Sequence, residues 1–268
     1  MRRKTRLFYL RRAKIRNLMK YFAIFLFLYC AACFADSCKT VHVFVALCDN
    51  ENQGIVPVPK KLGNGKDVVN NLYWGAGYGV KSYFKKAEGW KLIYDTLKLN
   101  ENVLERCVFK KGELYLCADA YKGIEIKSAV TEFLKSISGE MAESLTVKGS
   151  KIGIYGNSDL VGYVGHDGLM DFQLENDFQK GNQTTKKDVI VLCCMSRQYF
   201  GEFIHDLGGN PVLLTTGLMA PEAYTLESAI HGWNQNLSKR QIAENAAAVY
   251  HKYQGCGLKG AKRLFSAE

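Results

Sequence analysis

The chain has only four prolines, and it shows no internal repeat, no low-complexity run and no composition break that would mark a linker. An array of domains on flexible joints is therefore excluded. No acidic residue precedes Asp36, so nine of the 36 basic residues fall in an acid-free leader, and 27 bases then face 26 acids beyond it. The formal charge of +10 thus shrinks to about +1 in the body, which lacks the basic surface that phosphate contacts need. Nucleic acid is not an expected partner. Beyond the leader, metal-ligand spacings of the C-x-x-C or H-x-x-H type are missing, as are a Walker lysine motif, a zinc-helix motif and a G-x-S-x-G elbow. The glycines at Gly75, Gly77 and Gly79 have the wrong spacing for a dinucleotide fingerprint. The Asp/Asn-rich stretch over residues 49–70 lacks EF-hand spacing. No metal and no organic cofactor is called for.

What is present is a chain of 268 residues, 47% of them apolar, enough for one sizeable core. Residues 21–35 carry no charge, but fifteen residues fall short of the about 20 that a spanning helix needs. A basic start, a short apolar run and a small residue at the end fit a secretory leader over residues 1–35. Met19 offers an alternative start, and cleavage after Ala35 would leave residues 36–268 as a single α/β domain. The expected location is secreted or periplasmic. A membrane is involved only if the leader stays attached as an anchor.

The body alternates strand and helix signals. Residues 41–47 (VHVFVAL) are β-branched and apolar, as in a buried strand. Residues 49–71 read as a polar loop and residues 72–86 as an aromatic-rich helix. Residues 90–94 read as a strand, and residues 103–118 as a hairpin with a Lys-Gly turn. Cys107 and Cys117 flank that turn, so a cross-strand disulfide is expected if the compartment is oxidising. Residues 122–138 carry a helical apolar stripe from near Ile124. Residues 160–164, 188–192 and 211–215 are short apolar strands, and residues from Glu222 onward are helical. Such alternation predicts a mostly parallel sheet flanked by helices.

Two phrases match. Asp159 leads into LVGYV, which stops at Gly165-His166-Asp167-Gly168. Asp188 leads into VIVL, which stops at Cys193-Cys194-Met195-Ser196. Sites form outside the carboxyl ends of such strands, so His166 and one of the two cysteines would meet if the strands are neighbours. A thiol becomes a nucleophile with a base beside it, and backbone N–H groups at Gly-flanked turns can hold an oxyanion. The chemistry implied is acyl transfer through a thioester. The alternatives are a packed Cys-Cys pair, a disulfide between the two, and a histidine that merely bonds the backbone.

The same two phrases resemble the caspase-like cysteine peptidases, which include caspases, legumains, clostripains and gingipains. In these a strand ends in a His-Gly turn and the next ends in Ala-Cys. The resemblance implies a three-layer α/β sandwich, a peptide or protein substrate, His166 as the catalytic histidine and Cys194 as the nucleophile. Cys193 takes the place of the small residue before it and is the alternative nucleophile. Ser196 takes the place of a small residue after it, on the substrate side. Asp167 stands between His166 and Gly168, where the family has His-Gly directly, so either Asp167 or Gly168 supplies the oxyanion N–H beside that of Cys194. Asp49 and Asn50 end the first strand. An acid there would either line a pocket for Arg or Lys or cap a loop. The competing expectation is an exported binding protein that keeps this fold without the chemistry.

Overall fold

The computed structural model describes residues 38–175, 178 and 186–266. The expected leader lies outside the described residues. Cys38 onward clusters as one compact unit, and no helix among the described residues is long and apolar enough to cross a membrane.

Among the described residues, ten strands and six α-helices follow in order: β1 (Lys39–Ala46), α1 (Val80–Phe84), β2 (Lys91–Leu97), β3 (Val103–Lys111), β4 (Leu114–Tyr121), α2 (Ile126–Ser138), β5 (Ala142–Val147), β6 (Ser150–Tyr155), β7 (Leu160–Val164), β8 (Asp188–Leu192), α3 (Ser196–Asp206), β9 (Asn210–Thr215), α4 (Ala223–Asn234), α5 (Lys239–Gln254), α6 (Leu258–Leu264) and β10 (Phe265–Ser266). Eight strands form one sheet in the order β10-β9-β8-β7-β1-β4-β3-β2, and β5 and β6 form a separate hairpin. The five strands β9, β8, β7, β1 and β4 run parallel, while β3, β2 and β10 are antiparallel additions.

The sheet is covered on both faces, as an α/β sandwich requires. Val41, Val43 and Val45 of β1 enter one core with residues of α1, α4, α5 and α6. Phe44 and Ala46 of the same strand enter the other, under α2, α3 and the β5–β6 hairpin. A central parallel strand is apolar on both faces for this reason. Each fully buried Val, Leu or Phe contributes roughly 1.5–3 kcal/mol of transfer free energy.

A polar network is set into the second face. The Arg106 Nε and Nη2 donate to the Asp119 oxygens at 2.6 Å each, and Nη2 also reaches the Tyr155 hydroxyl at 2.7 Å. His42 Nδ1 accepts the Tyr155 N–H at 2.5 Å, so the proton sits on Nε2, 3.1 Å from Asp119. His42 is therefore neutral. Burial lowers its pKa, outweighing the pull of Asp119. Burial, the largest single influence, would raise the Asp119 carboxyl, but the Arg106 hydrogen bonds and His42 together outweigh it and hold the group at about 2.

Two local expectations are corrected. The helix expected over residues 72–86 forms only as Val80–Phe84. Upstream, the Asn71 side chain bonds both Cys48 N and Cys48 O. Gly75 sits where a Cβ would lie 2.3 Å from the Val69 carbonyl oxygen. Turns rather than helix follow from that close approach. The Cys107–Cys117 disulfide does not form. The hairpin register sets Cys107 opposite Ala118 and Cys117 opposite Val108. That offset of one residue sends the two thiols to opposite faces of the sheet, Cys107 into one core and Cys117 into the other.

Candidate active site

β4 joins β1 on one side, and the later strands β7, β8 and β9 build outward from its other side. The connection direction thus reverses at β1, and the crevice outside the carboxyl ends of β1 and β7 is the expected ligand position in an open α/β sheet. β7 and β8 pair in parallel with Val164 opposite Leu192, and Gly165 N–H donates to Leu192 O at 3.3 Å. His166 and Cys194, each two residues further on, therefore leave the sheet at the same level. Among the described residues they share no hydrogen bond.

His166 is 7% exposed. Its carbonyl accepts the Tyr163 hydroxyl at 2.8 Å. Its Nε2 lies 2.7 Å from Asp171 Oδ2, and a carboxylate only accepts, so Nε2 carries the proton. The same oxygen accepts the Gly54 N–H at 2.9 Å. Asp171 closes a short 3₁₀ turn, Gly168–Met170, that Asp167 caps by accepting the Leu169 N–H at 3.0 Å. A Cβ at Gly168 would meet the Phe172 ring at 2.7 Å and push it aside. The second Asp167 oxygen is buried with no hydrogen-bond partner among the described residues. Burial raises this carboxyl to about 7, outweighing the Leu169 N–H.

The two cysteines separate cleanly. Cys193 is fully buried in the core under α2 and α3, and burial, reinforced by the Asp167 charge, pushes its thiol well up. Cys194 follows on the other face, partly exposed. Its sulfur lies against the Met219 backbone, accepting the N–H at 3.4 Å and donating to the carbonyl at 3.6 Å. Between Cys194 and α3 stands Met195, in the left-handed region at φ 50°. For a residue with a Cβ that conformation costs roughly 1–2 kcal/mol, and it makes a sharp strand–turn–helix corner. The Met195 N–H bonds Gly217 O at 2.9 Å to hold it. The backbone N–H groups of Asp167, Gly168 and Cys194 are claimed by no acceptor among the described residues.

Ser196, expected on the substrate side, is fully buried. Its hydroxyl donates to Val191 O at 3.0 Å and accepts the Thr215 N–H at 2.8 Å, and Thr215 Oγ1 in turn donates to Cys193 O. Ser196 is a knot between β8 and β9, with no face toward a substrate. Asp49 Oδ1 accepts Glu51 N–H, and its Oδ2 accepts Asn52 Nδ2 at 2.9 Å, so the side chain caps its loop. Asn50 clamps the loop by bonding both Val58 N and Val58 O. Both residues nonetheless line a cleft of about 360 Å³ with Asn52, Lys60, Asn64 and Lys66. Tyr73, absent from the sequence reading, lies near Cys48 and both cysteines of the pair, and burial raises its phenol. Asp171, Gly54 and Met219 were equally unread. Only Asp171 had a local signal, five residues after His166.

One group of metal-ligating types clusters among the described residues, His42, Cys117 and Asp119. Both ring nitrogens of His42 and both oxygens of Asp119 are already bonded, so this set is a structural network and does not fit a metal. Comparison with family models, curated proteins and solved structures finds no match for the chain.

Proposed function

We propose that this chain is an exported cysteine hydrolase of peptide bonds, built on a caspase-like plan. The observation that carries the reading is the pairing of β7 with β8 in a register that brings His166 and the accessible thiol of Cys194 to one end of the sheet. Cys193, buried and beside a carboxyl, is the poorer nucleophile, because the thiolate is the reactive form. In the reaction, the Cys194 proton passes to His166 Nδ1, the nitrogen not engaged by Asp171. The sulfur attacks the carbonyl carbon, and the oxyanion takes the N–H groups of Cys194 and of Asp167 or Gly168. His166 returns the proton to the leaving amine as the C–N bond breaks. Water then cleaves the thioester by the same route, with His166 as base.

The test is iodoacetamide mapping of each cysteine by mass spectrometry, in the wild type and in His166→Ala. Fast labelling of Cys194 alone, lost with His166, is the expected result. Equal, slow labelling of Cys194 in both proteins overturns the reading. A second reading, a binding protein of this fold without chemistry, is favoured by one feature: the Cys194 thiol donates to Met219 O rather than to His166. It predicts the second result. The N-terminal mass of protein recovered from its host tests export.

A further inference from the structure

We infer that Asp171 is a positioning residue for His166, and that the Gly54 N–H ties this pair to the cleft loop over residues 49–55, so that the state of the loop sets the orientation of the imidazole. The inference rests on the hydrolase reading for its purpose, but its geometry stands apart from it. One oxygen, Asp171 Oδ2, receives both His166 Nε2 at 2.7 Å and Gly54 N–H at 2.9 Å. The Asp171 N–H is held by Gly168 O at 2.9 Å. The carboxylate is thus fixed from its own turn and from a loop more than a hundred residues earlier. That loop is anchored at Gln53. The Gln53 side-chain amide donates to Leu47 O at 2.9 Å and to Gly123 O at 3.0 Å, tying it to the end of β1 and to the start of α2. Asp49, Asn50 and Asn52 of the same loop line the cleft. An occupant of the cleft that moves the loop must move the Gly54 N–H and with it the Asp171 carboxylate. By holding a proton on Nε2, Asp171 leaves Nδ1 unprotonated and free to serve as base.

Gly54 offers a perturbation that touches neither His166 nor Cys194. A Cβ at residue 54 would stand 2.4 Å from Asp171 Oδ1, so Gly54→Ala forces the carboxylate to shift. The experiment follows the His166 tautomer by long-range proton–nitrogen correlation in the labelled full chain at pH 8, with His166→Gln identifying the signal. Cys194 alkylation at pH 7 is measured beside it. Wild type should show the proton on Nε2. Asp171→Ala should give a mixture of tautomers and slow Cys194 at least about tenfold. Gly54→Ala should change both readouts in the same direction. A His166 spectrum unchanged in Asp171→Ala overturns the inference, and one unchanged in Gly54→Ala overturns the link to the loop. If the tautomer responds as stated while wild-type Cys194 ignores His166→Ala, the positioning contact stands and the hydrolase reading falls.

Discussion

Replacing Arg106 by Met removes two charge-assisted hydrogen bonds, each 2.6 Å, from a carboxylate that has no exposed surface. Asp119 keeps only the His42 Nε2–H at 3.1 Å, and the Tyr155 hydroxyl loses its donor. Stripping one partner from a buried ion pair costs about 3–5 kcal/mol, because the remaining charge is left in a poorly solvating interior. The net depression of Asp119 from 3.8 to about 2, in which burial opposes and His42 shares, corresponds through linkage to roughly 2–3 kcal/mol for the whole network around the carboxylate. For a domain of this size that corresponds to a loss of roughly 10 °C in Tm. The assay is urea unfolding followed by circular dichroism at pH 7, for Arg106→Met, Asp119→Asn and the double variant. The double variant should recover part of the loss, since the unpaired charge has gone. The pH dependence has a definite sign. Asp119 is depressed in the fold, so its contribution is present above about pH 4 and fades as pH falls toward 2. His42 is lowered below its ordinary 6.5, so the unfolded chain takes up its proton first, and stability also falls as pH drops below about 6.5. An Arg106→Met protein within about 0.5 kcal/mol of wild type, or a double variant no better than the single, refutes this account of the network.

Asp167 makes the opposite contribution. Its carboxyl is raised to about 7, so its folded form keeps a proton that the unfolded chain has already lost, and its presence favours folding less as pH rises from about 4 to 7. Asp167→Asn should therefore be more stable than wild type at pH 8, with the advantage shrinking toward pH 4. Matched urea midpoints across that range would check it. Ser196→Ala leaves Val191 O, Thr215 N and Thr215 Oγ1 short of a partner. Thermal unfolding should show a loss of about 1–3 kcal/mol. Cys107 and Cys117 should both label with a thiol reagent in unreduced, denatured protein and resist it in folded protein. A mass two hydrogens short with both sites blocked would contradict the register.

Sequence alone determined the elements whose signals are local. The unbroken apolar run at β1, the hairpin turning at Gly112, the apolar stripe of α2 and the strands β7, β8 and β9 form where the side-chain pattern sets them, since period and turn chemistry act over a few residues. The 142–155 hairpin went unread, as its exposed first strand has little alternation. The matching phrases marked His166 and the cysteine pair as strand ends. Tertiary structure decided everything that depends on which strands are neighbours and in what register. Only the order β1-β7-β8 brings His166 and Cys194 to one edge. Only the β8–β9 knot buries Ser196, and only the crossing of loop 49–55 over the 3₁₀ turn brings Gly54 to Asp171. Those contacts join residues tens to more than a hundred positions apart, and no pattern within a few residues carries that information.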